Sequence, residues 1–180
     1  MKIVTIGRGA IGAGLAGLWR AAGHEVDPLG RDGGDASQAD VVLVAVPGDR
    51  ISEALGKVTG LEGKVAIDAT NVLPERYGDF PSYAEEVKSF TNGPVAKSFN
   101  MNFAALYDRV REQRVRPGNW YVADDEAASV TEQLIRDAGF DPVRVGDLTR
   151  ARDFENAVWL LMSVQPTGGV VYRFAAPGEL

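Results

Sequence analysis

The sequence predicts an α/β fold: a doubly wound, mostly parallel sheet with helices on both faces. Three observations predict it. Short apolar, β-branched runs alternate with longer helical patterns along the chain, the order that yields parallel strands joined by right-handed crossovers. One of those runs, Val41 to Val46 (VVLVAV), is apolar at every position, as a strand must be when both faces of its sheet are covered. The first run is followed at once by a glycine-rich turn and a helical pattern, so the chain opens on a strand, turn, helix unit.

Residues 2 to 6 (KIVTI) are the first strand, and the helical pattern from Ala10 to Ala22 is ended by Gly23, which adopts a left-handed C-cap without steric cost. His24 to Leu29 is the second strand. Pro28 inside it has no N–H to give a ladder, which places the strand at a sheet edge. The following RDGGDASQAD contains too little apolar material for a crossover helix and a strand. Val41 to Val46 then lies beside the first strand and ends at Pro47. A helix over 49–57, a strand over 64–69, a helix over 82–89 and a strand over 94–98 continue the alternation. A helix near 102–113 precedes a strand at Trp120 to Val122. The next helix, Asp125 to Ala138, begins among Asp124, Asp125 and Glu126, whose charges suit its dipole, and stops at Gly139. A strand over 142–145 follows. The last helix, 150–164, is apolar almost all round from Ala157 to Val164 and is stopped by Pro166, so it is expected to be buried in the core, over a ligand, or in a homodimer interface.

At 180 residues, with 45% hydrophobic and 24% charged, the chain suits one folded domain over 1–180, in which 99–180 completes the substrate side. A net charge of -6 and the lack of a basic run argue against nucleic acid, anionic membrane and other polyanions as partners. There is no cysteine and His24 is the sole histidine, which excludes thiol chemistry and leaves a poor ligand set for zinc or iron. Met1 leads directly into an apolar strand without a basic leader or an 18-residue apolar span, so a cytoplasmic location is expected.

Gly7, Gly9 and Gly12 in GRGAIG have the G-x-G-x-x-G spacing between a strand and a helix, the fingerprint of a Rossmann-type dinucleotide site. Gly7 permits the tight turn, Gly9 lets a pyrophosphate approach, and Gly12 lets helix pack on strand; Arg8, Ala10 and Ile11 complete the turn. NAD-selective sites carry an acid near the end of strand two, whereas this chain has Gly30 and Arg31 there, and Arg31 offers a donor fork to a 2′-phosphate. NADP(H) is therefore favoured over NAD(H), with Asp27 as a ribose ligand the alternative. Arg8 could stack on adenine or add a second charge. Ligands sit beyond the carboxyl ends of such strands, which singles out Val46 and Pro47, then Thr70 and Asn71, then the stretch Ala96 to Asn100.

With those strand ends in hand the chain resembles the NADPH-dependent deazaflavin reductase family, NADPH:coenzyme F-420 oxidoreductases and their Rossmann relatives. The resemblance spans nearly the whole chain and rests on MKIVTIGRGAIGAGLA, Gly30-Arg31, DASQADVVLVAVP, AIDATN, GPVAKSFNMNFA, VADDEAASVTEQLIRDAGFDPVRVGDL and TRARDFENAVWLLM in this order. It implies that Gly7 to Ile11, Gly30, Arg31, Val46, Pro47 and Asn71 contact NADP, and that Lys97, Ser98, Phe99, Asn100 and Met101 border the nicotinamide, where a deazaflavin or flavin would stack as small-molecule redox partner. One departure is the short DGGDASQAD, where family members have a longer segment with a helix and strand of its own; it leaves the adenine end more open.

Hydride transfer between stacked rings needs orientation and little proton chemistry. Ser98, Phe99, Met101, Phe103, Leu160 and Pro166 are the expected wall of that site. Reduction of a small carbonyl or imine would instead need an acid, for which Lys97 and Tyr172 are the candidates. A non-catalytic NADPH-binding module is the third alternative.

Overall fold

The computed structural model describes residues 1–71, 79–163 and 171–178. Lys2–Ile6 (β1) leads into Ala10–Ala21 (α1), and Glu25–Leu29 (β2) returns parallel to β1. Val41–Val44 (β4) pairs with the other side of β1, Val65–Asp68 (β6) with β4, and Val95–Ser98 (β7) with β6, all parallel. Gly118–Ala123 (β8) then adds antiparallel to β7, and Asp141–Gly146 (β9) adds parallel to β8. The resulting seven-stranded sheet has the order β2-β1-β4-β6-β7-β8-β9. This is a Rossmann-type doubly wound sheet with one reversal of direction.

Each face of the sheet carries its own core. Val4, Val42, Val44, Ala66 and Val95 face Ile51–Leu55 (α2), Tyr83–Thr91 (α3) and Ala151–Ser163 (α5). Ile3, Val41, Leu43, Ile67 and Ala96 face α1, Asp125–Asp137 (α4) and a 3-10 segment, Ala104–Glu112. Consecutive residues of β4 thus enter opposite cores, which is why that strand is apolar throughout. α3 begins at Ser82, whose hydroxyl accepts from the Glu85 N–H.

The edge position of Pro28 follows from the hydrogen-bond parity of β2. Glu25 N–H donates to the Met1 carbonyl and Gly7 N–H to the Leu29 carbonyl, so odd residues address β1 and even ones face outward. The outward carbonyls of Val26 and Pro28 accept from Arg20 and Arg8 instead of another strand, which blunts an edge open to pairing.

Four expectations need correction. The segment after Arg31, expected to hold too little apolar material for a helix and a strand, has no helix but does form a two-residue strand: Gly34–Asp35 (β3) pairs parallel with Val58–Thr59 (β5), a small sheet packed closely at Gly33 and Gly60, where a Cβ would lie 1.9 Å from the Lys57 carbonyl oxygen and 2.4 Å from the Ser37 nitrogen. The helix expected over 49–57 is one 3-10 turn, Gly48–Arg50, followed by the short α2. The stretch near 102–113 is 3-10 rather than α. Helix α5 is not enclosed in this chain's core. Ala151, Phe154, Glu155 and Val158 point inward while Leu160 is 75% exposed and Trp159 and Met162 also face out, because a stretch apolar all round does not specify which side is covered. Among the described residues no helix is long and apolar enough to cross a membrane.

Candidate functional site

The chain leaves β1 to one side for β2 and returns to its other side for β4, so the strand order switches at β1 and a crevice opens between the turns after β1 and β4. These turns touch. Gly7 has φ +111°, and a Cβ on it would lie 2.3 Å from the Ala45 carbonyl oxygen; a Cβ on Gly12 would lie 2.1 Å from the Gly7 oxygen. Both glycines are therefore required by close packing of helix, turn and neighbouring strand. Gly9 differs, since nothing lies within 4 Å of a Cβ there and its φ of -72° suits any residue. It is the N-cap of α1, with no side-chain cap and no acidic residue in the first turn. The first-turn N–H groups are left for an outside acceptor, and the helix dipole favours an anion.

Beside this turn the Arg8 guanidinium is pinned over the end of β2. Its Nε and Nη2 donate to the Pro28 carbonyl at 3.1 and 2.8 Å, and a Cβ on Gly30 would lie 3.3 Å from its Cζ. Gly30 thus makes room for Arg8. Arg31 follows, exposed, with its carbonyl accepting from Lys57 Nζ at 3.3 Å. Asp27, the alternative ribose ligand, lies mid-strand opposite Val4 rather than at the strand end. The guanidiniums of Arg8 and Arg31 thus lie by the end of β2, and the first carboxylate after the strand is Asp32, beyond Arg31.

The turns after β4 and β6 complete the rim. Val46 and Pro47 lead to Gly48, where a Cβ would meet the Tyr83 ring at 2.3 Å and the Asn71 carbonyl oxygen at 2.9 Å. Nothing in the residues around Gly48 marks it beyond its place after Pro47. Thr70 is buried and already engaged, its N–H donating to Asp68 Oδ1 at 2.8 Å and its hydroxyl accepting from Lys97 Nζ at 3.1 Å. It holds the turn rather than offering a free hydroxyl. Asn71 Oδ1 and both amide atoms of Asn100 are buried without a hydrogen-bond partner, at the carboxyl ends of adjacent strands. Such orphaned amides cost about 1–3 kcal/mol each unless a ligand satisfies them.

Most of the Lys97 to Met101 stretch is committed elsewhere. Ser98 Oγ donates to Asn119 Oδ1 at 2.7 Å, in a buried chain that continues through Asn102 to the Gly118 carbonyl. Phe99 is wholly buried, its ring edge-on to Trp19 and Phe140, and Met101 lies in the core beneath α5. Phe99 has φ +63°, a left-handed conformation that costs a bulky residue about 1–2 kcal/mol and turns the chain at the strand end. Of the five residues expected to border a nicotinamide, Asn100 alone keeps an unpaired polar side chain. Phe103 is half-buried, Leu160 is exposed on α5, and Pro166 lies outside the described residues.

Lys97 is wholly buried, 2.7 Å from Asp68 and 3.2 Å from Glu155, both also wholly buried, with the Tyr83 ring 5.8 Å away. An ammonium so clamped is no proton donor for a substrate. Nor is Tyr172 a ready acid, because burial pushes its phenol well above the ordinary value and its hydroxyl is 3.5 Å from Asn102 Oδ1. Glu155 Oε1 also accepts from the N–H groups of Tyr83 and Ala84, while Oε2 is buried and unpaired. Sequence reading missed Glu155; its signal was one carboxylate inside the apolar run FENAVWLLM.

Burial raises the Glu155 pKa above its ordinary 4.5, against the attraction of Lys97 and with the repulsion of Asp68 adding to it. Between 4.5 and the raised value the folded protein holds a proton that the unfolded chain has released. Stability is then greatest below that window and falls as pH rises through it. Urea unfolding of the wild type against Glu155→Gln over this range is expected to show the fall in the wild type and its loss in the variant; equal slopes would place the titration elsewhere.

No family model matches the chain, and no curated protein matches it. Solved structures do. A candidate F420-dependent NADP-reductase from Arthrobacter sp. FB24 superposes with TM-score 0.81 at 23% identity, covering 97% of this chain and 99% of that one. A hypothetical protein from Sinorhizobium meliloti gives 0.66 at 23% identity, over 96% and 92%. A reductive aminase from Aspergillus terreus in complex with NADPH and ethyl levulinate gives 0.62 at 14% identity. This chain covers 90% of itself in that comparison and 61% of the aminase, so it spans less than two thirds of that enzyme. At these identities the likeness is one of fold.

Proposed function

We propose that the protein is an NADP(H)-dependent oxidoreductase that transfers hydride between NADPH and a deazaflavin coenzyme of the F-420 type or a flavin. One observation carries the reading: an uncapped helix N-terminus opens beside Gly9, with the Arg8 guanidinium fixed over Gly30 and Arg31 next to it. A pyrophosphate is held by the first-turn N–H groups of α1, and a 2′-phosphate by Arg8 and Arg31. Val46, Pro47 and Asn71 border the bound dinucleotide, and the orphaned amides of Asn71 and Asn100 have the donor and acceptor pattern of a carboxamide's partner.

NADPH, when bound, supplies the hydride. The chain's own residues orient the ring and exclude water from it; the one proton that completes the reduced deazaflavin or flavin would come from solvent after transfer, so none of them needs to supply it. That suits a deazaflavin or flavin acceptor better than a carbonyl or imine, since Lys97 is clamped and Tyr172 is a weakened acid. The Arthrobacter neighbour, a candidate F420-dependent NADP-reductase, supports the same acceptor class.

The test is a spectroscopic assay of NADPH with oxidised deazaflavin coenzyme, run beside FMN. Bleaching of the deazaflavin with matching NADPH consumption is the expected result. Tight NADPH binding without turnover of either acceptor would leave a non-catalytic module. Arg31→Ala is expected to weaken NADPH binding about tenfold, the worth of one charge-assisted hydrogen bond, and to leave NADH binding nearly unchanged. Equal losses by titration would remove the phosphate role.

A further inference from the structure

A second basic feature lies away from the dinucleotide crevice. Residues 109–116 read RVREQRVR, four arginines interspersed with one acid in a chain whose net charge is -6. No contiguous basic run marks a polyanion site in the sequence. Folding gathers three of these four arginines with one from α4. Arg111, Arg114, Arg116 and Arg136 line a cavity of about 450 Å³, closed by Ala22, Val110, Gln113, Asp137 and Gly139.

The four guanidiniums are not equally committed. Arg111 Nη2 donates to the Asp137 carbonyl at the end of α4, at 3.0 Å, and Arg136 pairs with Glu132 one turn earlier at 2.8 Å. Those two have structural work. Arg114 is exposed and has no hydrogen-bond or ion-pair partner among the described residues. The Arg116 guanidinium is 3.9 Å from Asp141, a carboxylate that Arg173 already holds closely. The one carboxylate in the cavity lining, Asp137, is engaged by His24 at 2.8 Å. Four guanidiniums therefore line the cavity against one lining carboxylate, with Glu132 and Asp141 pairing two of them from outside the lining, so the lining is net positive. The cavity is also concave and of the volume that takes a small organic molecule.

We infer that this cavity is a second ligand site, for a small molecule carrying two or more phosphate or carboxylate groups. Arg114 and Arg116 grip the anionic groups as planar donor forks, and Arg111 and Arg136 add field from fixed positions. The site is independent of the dinucleotide crevice. α1 has 12 residues, and its N-terminus faces the crevice while Ala22, just past its other end, lines the cavity, a separation of about 18 Å.

Inorganic tripolyphosphate is a suitable probe, titrated by calorimetry at low salt into the full chain. Its affinity is expected to fall about tenfold or more in Arg114→Gln/Arg116→Gln, and to stay unchanged in Arg8→Gln/Arg31→Gln. NADPH affinity should show the opposite pattern. The exposed positions of Arg114 and Arg116 leave the thermal midpoint near that of the wild type, which each variant's melting curve checks. No binding of the probe, equal affinity in wild type and Arg114→Gln/Arg116→Gln, or a loss confined to Arg8→Gln/Arg31→Gln would each overturn the proposal. Single-stranded RNA bound more tightly than tripolyphosphate through the same arginines would also overturn it, in favour of a nucleic-acid surface.

Discussion

Lys97→Met is expected to lower the unfolding free energy by about 3–5 kcal/mol, the usual cost of removing one partner from a buried ion pair. The size follows from what remains. Asp68 and Glu155 are wholly buried and share the Lys97 ammonium at 2.7 and 3.2 Å. Without it two carboxylates face each other out of water, and one or both must take up protons to stay inside. The variant should therefore regain stability as pH falls, and a second substitution, Glu155→Gln, should return part of the loss at neutral pH. Urea unfolding at two pH values measures both. A loss below about 1 kcal/mol would show that the cluster is worth no more than a surface pair. The same ammonium donates to Thr70, so a weakened dinucleotide affinity in any folded fraction would report the turn that carries Asn71.

Gly9→Ala is expected to leave the melting temperature unchanged and to weaken NADPH binding about a hundredfold, the equivalent of losing one or two charge-assisted backbone hydrogen bonds. The two readouts separate because the added methyl meets nothing in the protein and the backbone there is unstrained. What it occupies is the space through which a pyrophosphate reaches the helix N-terminus. Gly7→Ala and Gly12→Ala provide the contrast, since their methyls would lie 2.3 and 2.1 Å from carbonyl oxygens and should destabilise the fold itself. Equilibrium fluorescence titration beside thermal melts distinguishes these cases. Unchanged affinity in Gly9→Ala would move the dinucleotide away from this turn.

Much of the architecture was legible in the residues because it depends on local pattern. The run VVLVAV announced a strand covered on both faces, Pro28 announced an edge, and GRGAIG announced the turn that now lies at the switch of strand order. These signals are carried by neighbours in sequence, through alternation, missing donors and the conformational freedom of glycine. For helix α5 the residues left core, ligand and homodimer interface open, because composition says that a segment is apolar but not which side finds a partner; within this chain only one side meets the core.

The site divides in the same way. The sequence by itself determined the glycine turn, the exchange of an acid for Gly30 and Arg31 at the end of β2, and the strand ends that border the crevice. Only the tertiary structure decided which side chains are free there. Lys97 looked like an available acid until Glu155, 58 positions later in the chain, was found to close over it with Asp68. Ser98 and Phe99 were claimed by Asn119, Trp19 and Phe140, and the scattered arginines of 109–116 became one cavity only when α4 brought Arg136 beside them. Charge and hydrogen-bond pairing act over distances of a few ångströms, with no regard to separation along the chain, so a residue's chemistry is settled by neighbours that its own sequence context does not contain.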